Sequence, residues 1–484
     1  MNLRHKILSF LPFAICLLFF LAYILLSIIR HQHYQSFGYD LGINDQVVWR
    51  YSHFQLPLTT IDPFPDKTKL VTHVEIVYAL VAPFYWIWSN PIMLIIVRTA
   101  WFCLSGLAVY FLAKKKQLTS FVSLALLIGY LGFYGVQSAF WADVHSASFA
   151  TAFLMWFIYF VETKRKIPSI IFFFLAITAK ENIGLLTLLV SVVFFVKQRR
   201  RLLIFFIATS LAYLCFIYFV YFPHIIHMEY LYANSGGLLS NVNPISLIDT
   251  NEKRQVILYS LLSFGFLPLL SPLYLLPALG DLFTYFVIGS QLTGAQGLYG
   301  QYRITLIPFL IWAAIMTIGK YKRLNKWYIG VYLIFFTMLT QYILHLPLSY
   351  LSKQWFWTES PEVKTINKVI SDYLPTDASI VSQNNITPHI SQRDKIYTLY
   401  PEKEIFTKHS PCGKTSCDWF RWYGNPQFLI VDISSDWDAR HLLTDRPLFL
   451  AGLKNIEKAN VVTNYKEIGT TILYKVNKNP DENE

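Results

Sequence analysis

Residues 168–196 read PSIIFFFLAITAKENIGLLTLLVSVVFFV. Two apolar arms flank a polar turn, Ala179-Lys180-Glu181-Asn182, and basic clusters bracket the whole, Lys164–Lys166 before it and Lys197–Arg201 after it. Basic clusters beside apolar runs mark cytoplasmic loops. With one at each end, the segment goes into a membrane and comes back. Each arm has about fourteen residues, or roughly 21 Å at 1.5 Å per residue, short of the ~30 Å apolar core. The turn is therefore expected below the outer surface, shielded by neighbouring helices or lining a wet cavity. A charged pair at such depth marks a functional site; it also reads as a structural ion pair whose members satisfy each other.

The rest of the chain supports this reading. Of its 484 residues, 54% are hydrophobic, 17% aromatic and only 14% charged, which excludes an ordinary soluble protein. The net charge of +12 lies in short clusters between apolar runs, a topology signal, and no nucleic-acid-binding motif accompanies it. The first apolar stretch, residues 7–29, is too long for a cleaved leader and reads as a first span. Further basic clusters stand at residues 4–6, Lys114–Lys116 and Lys320–Lys326. Placing all of them inside gives about eleven spans, near 7–29, 91–113, 118–137, 146–162, 168–180, 182–197, 202–222, 256–271, 273–290, 303–319 and 327–346. The N-terminus is then inside and the C-terminus outside. Residues 73–88 are apolar enough to cross, but a crossing would turn Lys114–Lys116 outward. They are expected to form an interfacial or re-entrant helix, with Trp86 and Trp88 at the interface. Cys16, Cys103 and Cys215 sit in apolar runs and read as core residues.

Polar groups gather in the segments assigned to the outer face. The first loop, about residues 30–72, carries FGYDLGINDQVVWR (37–50) with Asp40, Asp45 and Gln46, then Asp62, Asp66, Lys67 and Lys69, with His73 and Glu75 following. Trp141–Ser146 holds Asp143 and His145; the turn at Lys180 and Glu181 comes next; residues 222–255 hold His224, His227 and a Ser235–Gly237 turn; Arg303 opens a late span. Cations neutralise a phosphate leaving group and a carboxylate deprotonates an incoming hydroxyl, so a cavity lined by these loops suits a phosphorylated lipid. Each residue also has a plainer role. Asp40 reads as the N-cap of a helix over Leu41–Arg50, Asp45 as solvated, His73 and His145 as hydrogen-bonded interfacial histidines, and Arg303 as snorkelling to headgroups. Metal-ligand spacing such as HExxH is missing, so no cofactor is expected, with a divalent metal left open.

YDLGINDQVVW (39–49), HVEIVYAL (73–80), WADVHSAS (141–148), AKENIGLLTLLV (179–190), QYRITLIPFLIWAA (301–314) and SQNNITPHISQRDKIYTLYP (382–401) together resemble an uncharacterised prokaryotic membrane family, the domain of unknown function 2079. One departure is Gln301, where that family often has His. The family in turn is similar to the GT-C glycosyltransferases, such as protein O-mannosyltransferases. The resemblance implies a GT-C-like membrane domain that takes sugar from a polyprenyl-phosphate carrier on the outer face. It implies Asp40 as the base toward the acceptor, Asp45 second, and His73, Asp143, Lys180 and Glu181 as substrate-binding residues, with Glu181 standing where that fold has glycine; the outer-face clustering adds Gln46, His145 and Arg303 to the substrate-binding set. The acidic pair of many such enzymes is missing, since Leu41 follows Asp40. The acceptor implied is a glycan, lipid or protein; nucleic acid is not a partner.

After about Ser349 charges return and apolar runs shorten. EVKTINKVISDYL (362–374), preceded by Pro361, predicts a helix. ASIVS, KIYTL, QFLIVDI and NVVTNYKEIGTTILYKV predict strands. A membrane domain over residues 1–348 and a small extracytoplasmic α/β domain over 349–484 follow. Cys412 and Cys417 fit either a small disulfide loop or two free thiols. A cell-membrane transferase leads; a transporter or flippase, and a non-catalytic sensor or binding protein, are the alternatives.

Overall fold

The computed structural model describes residues 3–61, 68–227, 230, 243–288, 293–401, 420–422, 424–434 and 446–478. Asp62, Asp66, Lys67, the Ser235–Gly237 turn, Cys412 and Cys417 lie outside the described residues. The chain forms two compact units: Met1–Ser27, Leu70–Val77 and Ile95–Lys353 make the first, and Ile28–Lys69, Tyr78–Leu94 and Gln354–Glu484 make the second.

The first unit is helical. Among the described residues, six segments are long and apolar enough to cross a bilayer: Phe10–Gln32, Pro91–Lys115, Ser120–Trp141, Arg201–Ile226, Gln301–Lys320 and Trp327–Leu344. Four shorter apolar helices, Ser146–Glu162, Lys166–Ile177, Ile183–Gln198 and Pro272–Ile288, fall where further spans are expected. The expected span at 256–271 is instead divided. A helix over Asn251–Leu262 begins with Asn-Glu-Lys-Arg, and a separate 3-10 turn follows at Leu267–Leu270. Gly265, at φ +54, and Phe266, at φ +60, end the helix between them. The two arms around the quoted turn are 12 and 16 residues long, about 18 and 24 Å, so both stay shorter than a bilayer core. Cys16 and Cys103 are buried as expected, but Cys215 is exposed on its helix.

The second unit is built on a five-stranded sheet of order β2-β1-β5-β7-β6. Its strands are β1 (Ile380–Ser382), β2 (Ile396–Thr398), β5 (Phe428–Asp432), β6 (Val462–Ile468) and β7 (Thr471–Val476); β3 (Tyr400–Pro401) and β4 (Phe420–Arg421) form a separate pair. β1 runs parallel to β2 and β5, whereas β7 runs antiparallel to β5 and β6. Alternation divides the inner strands between two faces. Val381, Leu429, Val431 and Tyr474 pack with Phe449, Leu453 and Ile456 of the Arg446–Lys458 helix. Ile380, Ile430 and Leu473 pack with Val363, Ile366 and Val369 of the Pro361–Tyr373 helix. Tyr34, Ile43 and Ile61 of the first loop join that second core. The loop is thus a structural part of the sheet unit.

Two local expectations are corrected. Asp40 is not an N-cap: the chain enters a π-turn at Gly38–Gly42 with Phe37 at its head, and the α-helix then runs Ile43–Ser52. The head is satisfied instead by Asn384, whose Oδ1 accepts from Gly38 N–H at 2.9 Å and Tyr39 N–H at 3.3 Å. Nor do residues 73–88 form one helix. A 3-10 turn at Ile76–Leu80 and a single α-turn at Ala82–Tyr85, with Pro83 inside it, replace that expectation. Proline lacks the amide hydrogen that a longer helix needs there.

Candidate functional site

The structure gathers six of the nine sequence-derived residues in the first unit and three in the second. In the first unit the segment Leu70–Val77 is fastened to the turn between the short arms. Val77 N–H donates to the Thr178 carbonyl at 2.9 Å, and Val74 N–H donates to Glu181 Oε2 at 3.0 Å. His73 Nδ1–H donates to Glu181 Oε1 at 2.9 Å, and the Tyr230 hydroxyl donates to the same oxygen at 2.8 Å. A carboxylate only accepts, so the proton of this pair sits on Nδ1. Glu181 is wholly buried (0% exposed) and its three donors offset the desolvation. Burial and the nearby Lys180 hold the His73 imidazole below the usual histidine range. The ring is therefore uncharged at neutral pH.

The neighbouring layer repeats this chemistry. Glu75, also buried, accepts from Ser146 Oγ at 2.6 Å and lies 4.0 Å from His145 Nε2. His145 heads the Ser146–Glu162 helix and accepts from Ala147 N–H at 3.3 Å. The His73 and His145 rings meet edge to face, 6.5 Å between centroids. Asp143 is buried beside them, and its carbonyl accepts from Arg98 Nη1 at 3.1 Å.

The two cations of the cluster are held differently. Lys180 is only 5% exposed, yet it makes no hydrogen bond or ion pair with any described residue; Glu181 binds His73 and Tyr230 instead. Lys180 thus acts on Glu181 and His73 electrostatically and keeps its own hydrogen-bond donors to spare. Arg303 is 0% exposed, so it does not snorkel. Its Nη2 donates to the Ala295 carbonyl at 2.5 Å, while Nε and Nη1 are buried without a partner. Its guanidinium stands 5.0 Å from the Tyr285 ring centroid and 5.2 Å from that of Phe286, a cation–π seat. Gly135 permits this depth, because a Cβ there would come within 2.7 Å of the Arg303 carbonyl oxygen. Asp281 completes the group: it interacts electrostatically with both Arg303 and Lys180, accepts from Thr305 Oγ1 at 2.9 Å, and leaves Oδ2 unpartnered. A lone acid in the apolar run LPALGDLF was a readable signal for it; Tyr230 and Thr305 had none. Among the described residues, no three His, Cys, Asp or Glu side chains gather as a metal site.

In the second unit Asp45 is buried rather than solvated. Tyr85 OH donates to Oδ1 at 2.5 Å, Ser391 Oγ to Oδ2 at 2.6 Å, and Gln392 Nε2 to Oδ1 at 3.1 Å. Burial pushes its carboxyl up to about 6, against the pull of these hydrogen bonds. Gln46 Nε2 donates to the Arg393 carbonyl at 2.8 Å, and its Oε1 accepts from Thr60 N–H at 3.0 Å. Residues 384–393 are therefore the packing partner of the Gly38–Ser52 segment. Asp40 is half-buried in its π-turn.

The architecture defines a multi-helix membrane protein with a small sheet-bearing unit. The chain belongs to the family of predicted membrane proteins DUF2079, which matches residues 30–422. No curated protein is similar enough to match it.

Proposed function

We propose that this protein is a membrane glycosyltransferase that takes a sugar from a polyprenyl-phosphate carrier and passes it to a hydroxyl acceptor on the outer membrane face. One observation carries the reading: Lys180 and Arg303 are buried cations with open donors, set beside Asp281 and the His73–Glu181 pair. A buried cation with unfilled donors is costly, and an anionic oxygen among such donors makes strong charge-assisted hydrogen bonds. Lys180 and Arg303 then hold the departing phosphate. In the step itself, the acceptor oxygen bonds to the anomeric carbon as the bond from that carbon to the phosphate oxygen breaks. The phosphate leaves with the electron pair, and the acceptor proton passes to a carboxylate. Asp40 is proposed for that role on the family resemblance, and Asp45, with both oxygens occupied, is the lesser candidate.

A second reading, translocation of a lipid-linked solute, has the two short arms meeting at a polar turn in its favour. Native mass spectrometry of the purified chain with added polyprenyl phosphate tests the first reading. A bound lipid in wild type and its loss in Lys180→Met are expected; retention of bulk phospholipid alone would count against it. Asp40→Asn should stop transfer while leaving lipid binding intact. Unchanged transfer in that variant removes Asp40 from the mechanism.

A further inference from the structure

The second unit contains a cavity of about 450 Å³ that plays no part in the reading above. Its size lies in the usual small-ligand range of about 300–1,000 Å³. His31, Gln32, Asn90, Glu359, Asn367 and His389 supply its polar wall, and Pro91 and Ile92 an apolar edge. The His389 ring is clamped between His31, 4.1 Å away and 4° from parallel, and Tyr34 at 3.8 Å. Its Nε2 is buried without a partner. Burial and the neighbouring His31 hold His389 well below the usual histidine range, so the ring is neutral.

The other wall groups have capacity to spare. His31 spends Nδ1 on Ser36 Oγ at 2.7 Å and keeps its second nitrogen. Asn90 Oδ1 accepts from Ile92 N–H at 2.9 Å, and Asn367 Oδ1 accepts from Tyr34 OH at 2.7 Å. Both amide NH₂ groups, and the Glu359 carboxylate, lack partners among the described residues. No lysine or arginine lines the cavity. An anion would meet a carboxylate and no cation there. A hydroxyl-rich neutral molecule instead finds amide donors, carboxylate and imidazole acceptors, and an apolar edge for its C–H face.

The geometry points to a saccharide-binding site that takes one neutral sugar unit between Asn90, Glu359, Asn367 and His389. Only the further step, that this sugar belongs to the acceptor, rests on the transferase function proposed above.

Saturation-transfer NMR on the full chain in lipid nanodiscs tests it, using neutral hexoses, N-acetylhexosamines and pentoses one at a time, followed by calorimetric titration of any that bind. At least one neutral sugar should bind and weaken tenfold or more in Glu359→Ala and Asn367→Asp. Both side chains are exposed, so the variants should melt like wild type. Lys180→Met should bind the sugar unchanged. No binding across the panel, equal binding in both variants, or preference for inorganic phosphate would overturn the site. Sugar binding without transfer would overturn the transferase reading alone; transfer without sugar in this cavity would overturn the site alone.

Discussion

Three donors aimed at one carboxylate pull its pKa down, and burial pushes it up; at Asp45 burial is the larger effect. Its folded value of about 6 stands above the ordinary 3.8. Between those two values the folded chain keeps a proton that the unfolded chain releases. Stability therefore falls as pH rises from about 4 to about 6 and levels off above that. The full effect is on the order of 3 kcal/mol. Thermal unfolding of the solubilised chain across this range should show the slope, and Asp45→Asn should flatten it. A steeper slope in the variant would refute this account. Nothing in GINDQVV announces the burial, because Ser391 lies 346 residues away in sequence. An aspartate in a polar loop looks solvated until its distant partners are known.

Elements along the chain were more legible than their joints. Apolar runs between basic clusters located the helices, and short runs of β-branched and aromatic residues located β1, β2, β5, β6 and β7. The breaks were less visible: a proline in Ala82–Tyr85 and a left-handed pair at Gly265–Phe266 cut apolar stretches that hydropathy alone reads as continuous. The π-turn is held open by its glycine. A Cβ on Gly38 would come within 2.8 Å of Thr387 Cβ, so Gly38→Ala should cost about 1–3 kcal/mol. Chemical denaturation checks this, and a change within 0.5 kcal/mol, the span of neutral surface substitutions, would mean that the turn yields. The Leu70–Val77 segment depends on Glu181 in the same way. Glu181→Ala strands His73 and Val74 N–H, each buried donor being worth about 1–3 kcal/mol, and releases the half-buried Tyr230. Limited trypsin digestion at Lys69 should then quicken several-fold.

At the scale of the molecule, the sequence showed where polarity lies but not how it is divided. It placed Asp40, Asp45 and Gln46 with His73, Lys180 and Arg303 as one set; the fold assigns the first three to the sheet unit and the others to the helical unit. The reason is physical. Membership of a compact unit is decided by non-local packing, such as Tyr34, Ile43 and Ile61 against the sheet, which no local pattern encodes. Orientation belongs to this scale as well. We propose from the basic clusters that the C-terminus lies outside; alkaline phosphatase fused there should then be active and a fluorescent protein that matures only in the cytoplasm should stay dark. The opposite pair of readings would invert the topology.

The sheet's strand order has a consequence for synthesis. β7, the last of the described strands, is an interior one that separates β5 from β6, while Tyr34, Ile43 and Ile61, which share its core, are made long before it. At about 5–20 residues per second, those early side chains wait on the order of tens of seconds for their partners. Until then the first loop carries uncovered apolar surface, a client for chaperones and proteases. A premature stop only a few residues before Thr471 would leave β6 with no neighbour and the nascent loop with an unfinished core. A cell's quality control should treat that short truncation as severely as loss of the whole sheet.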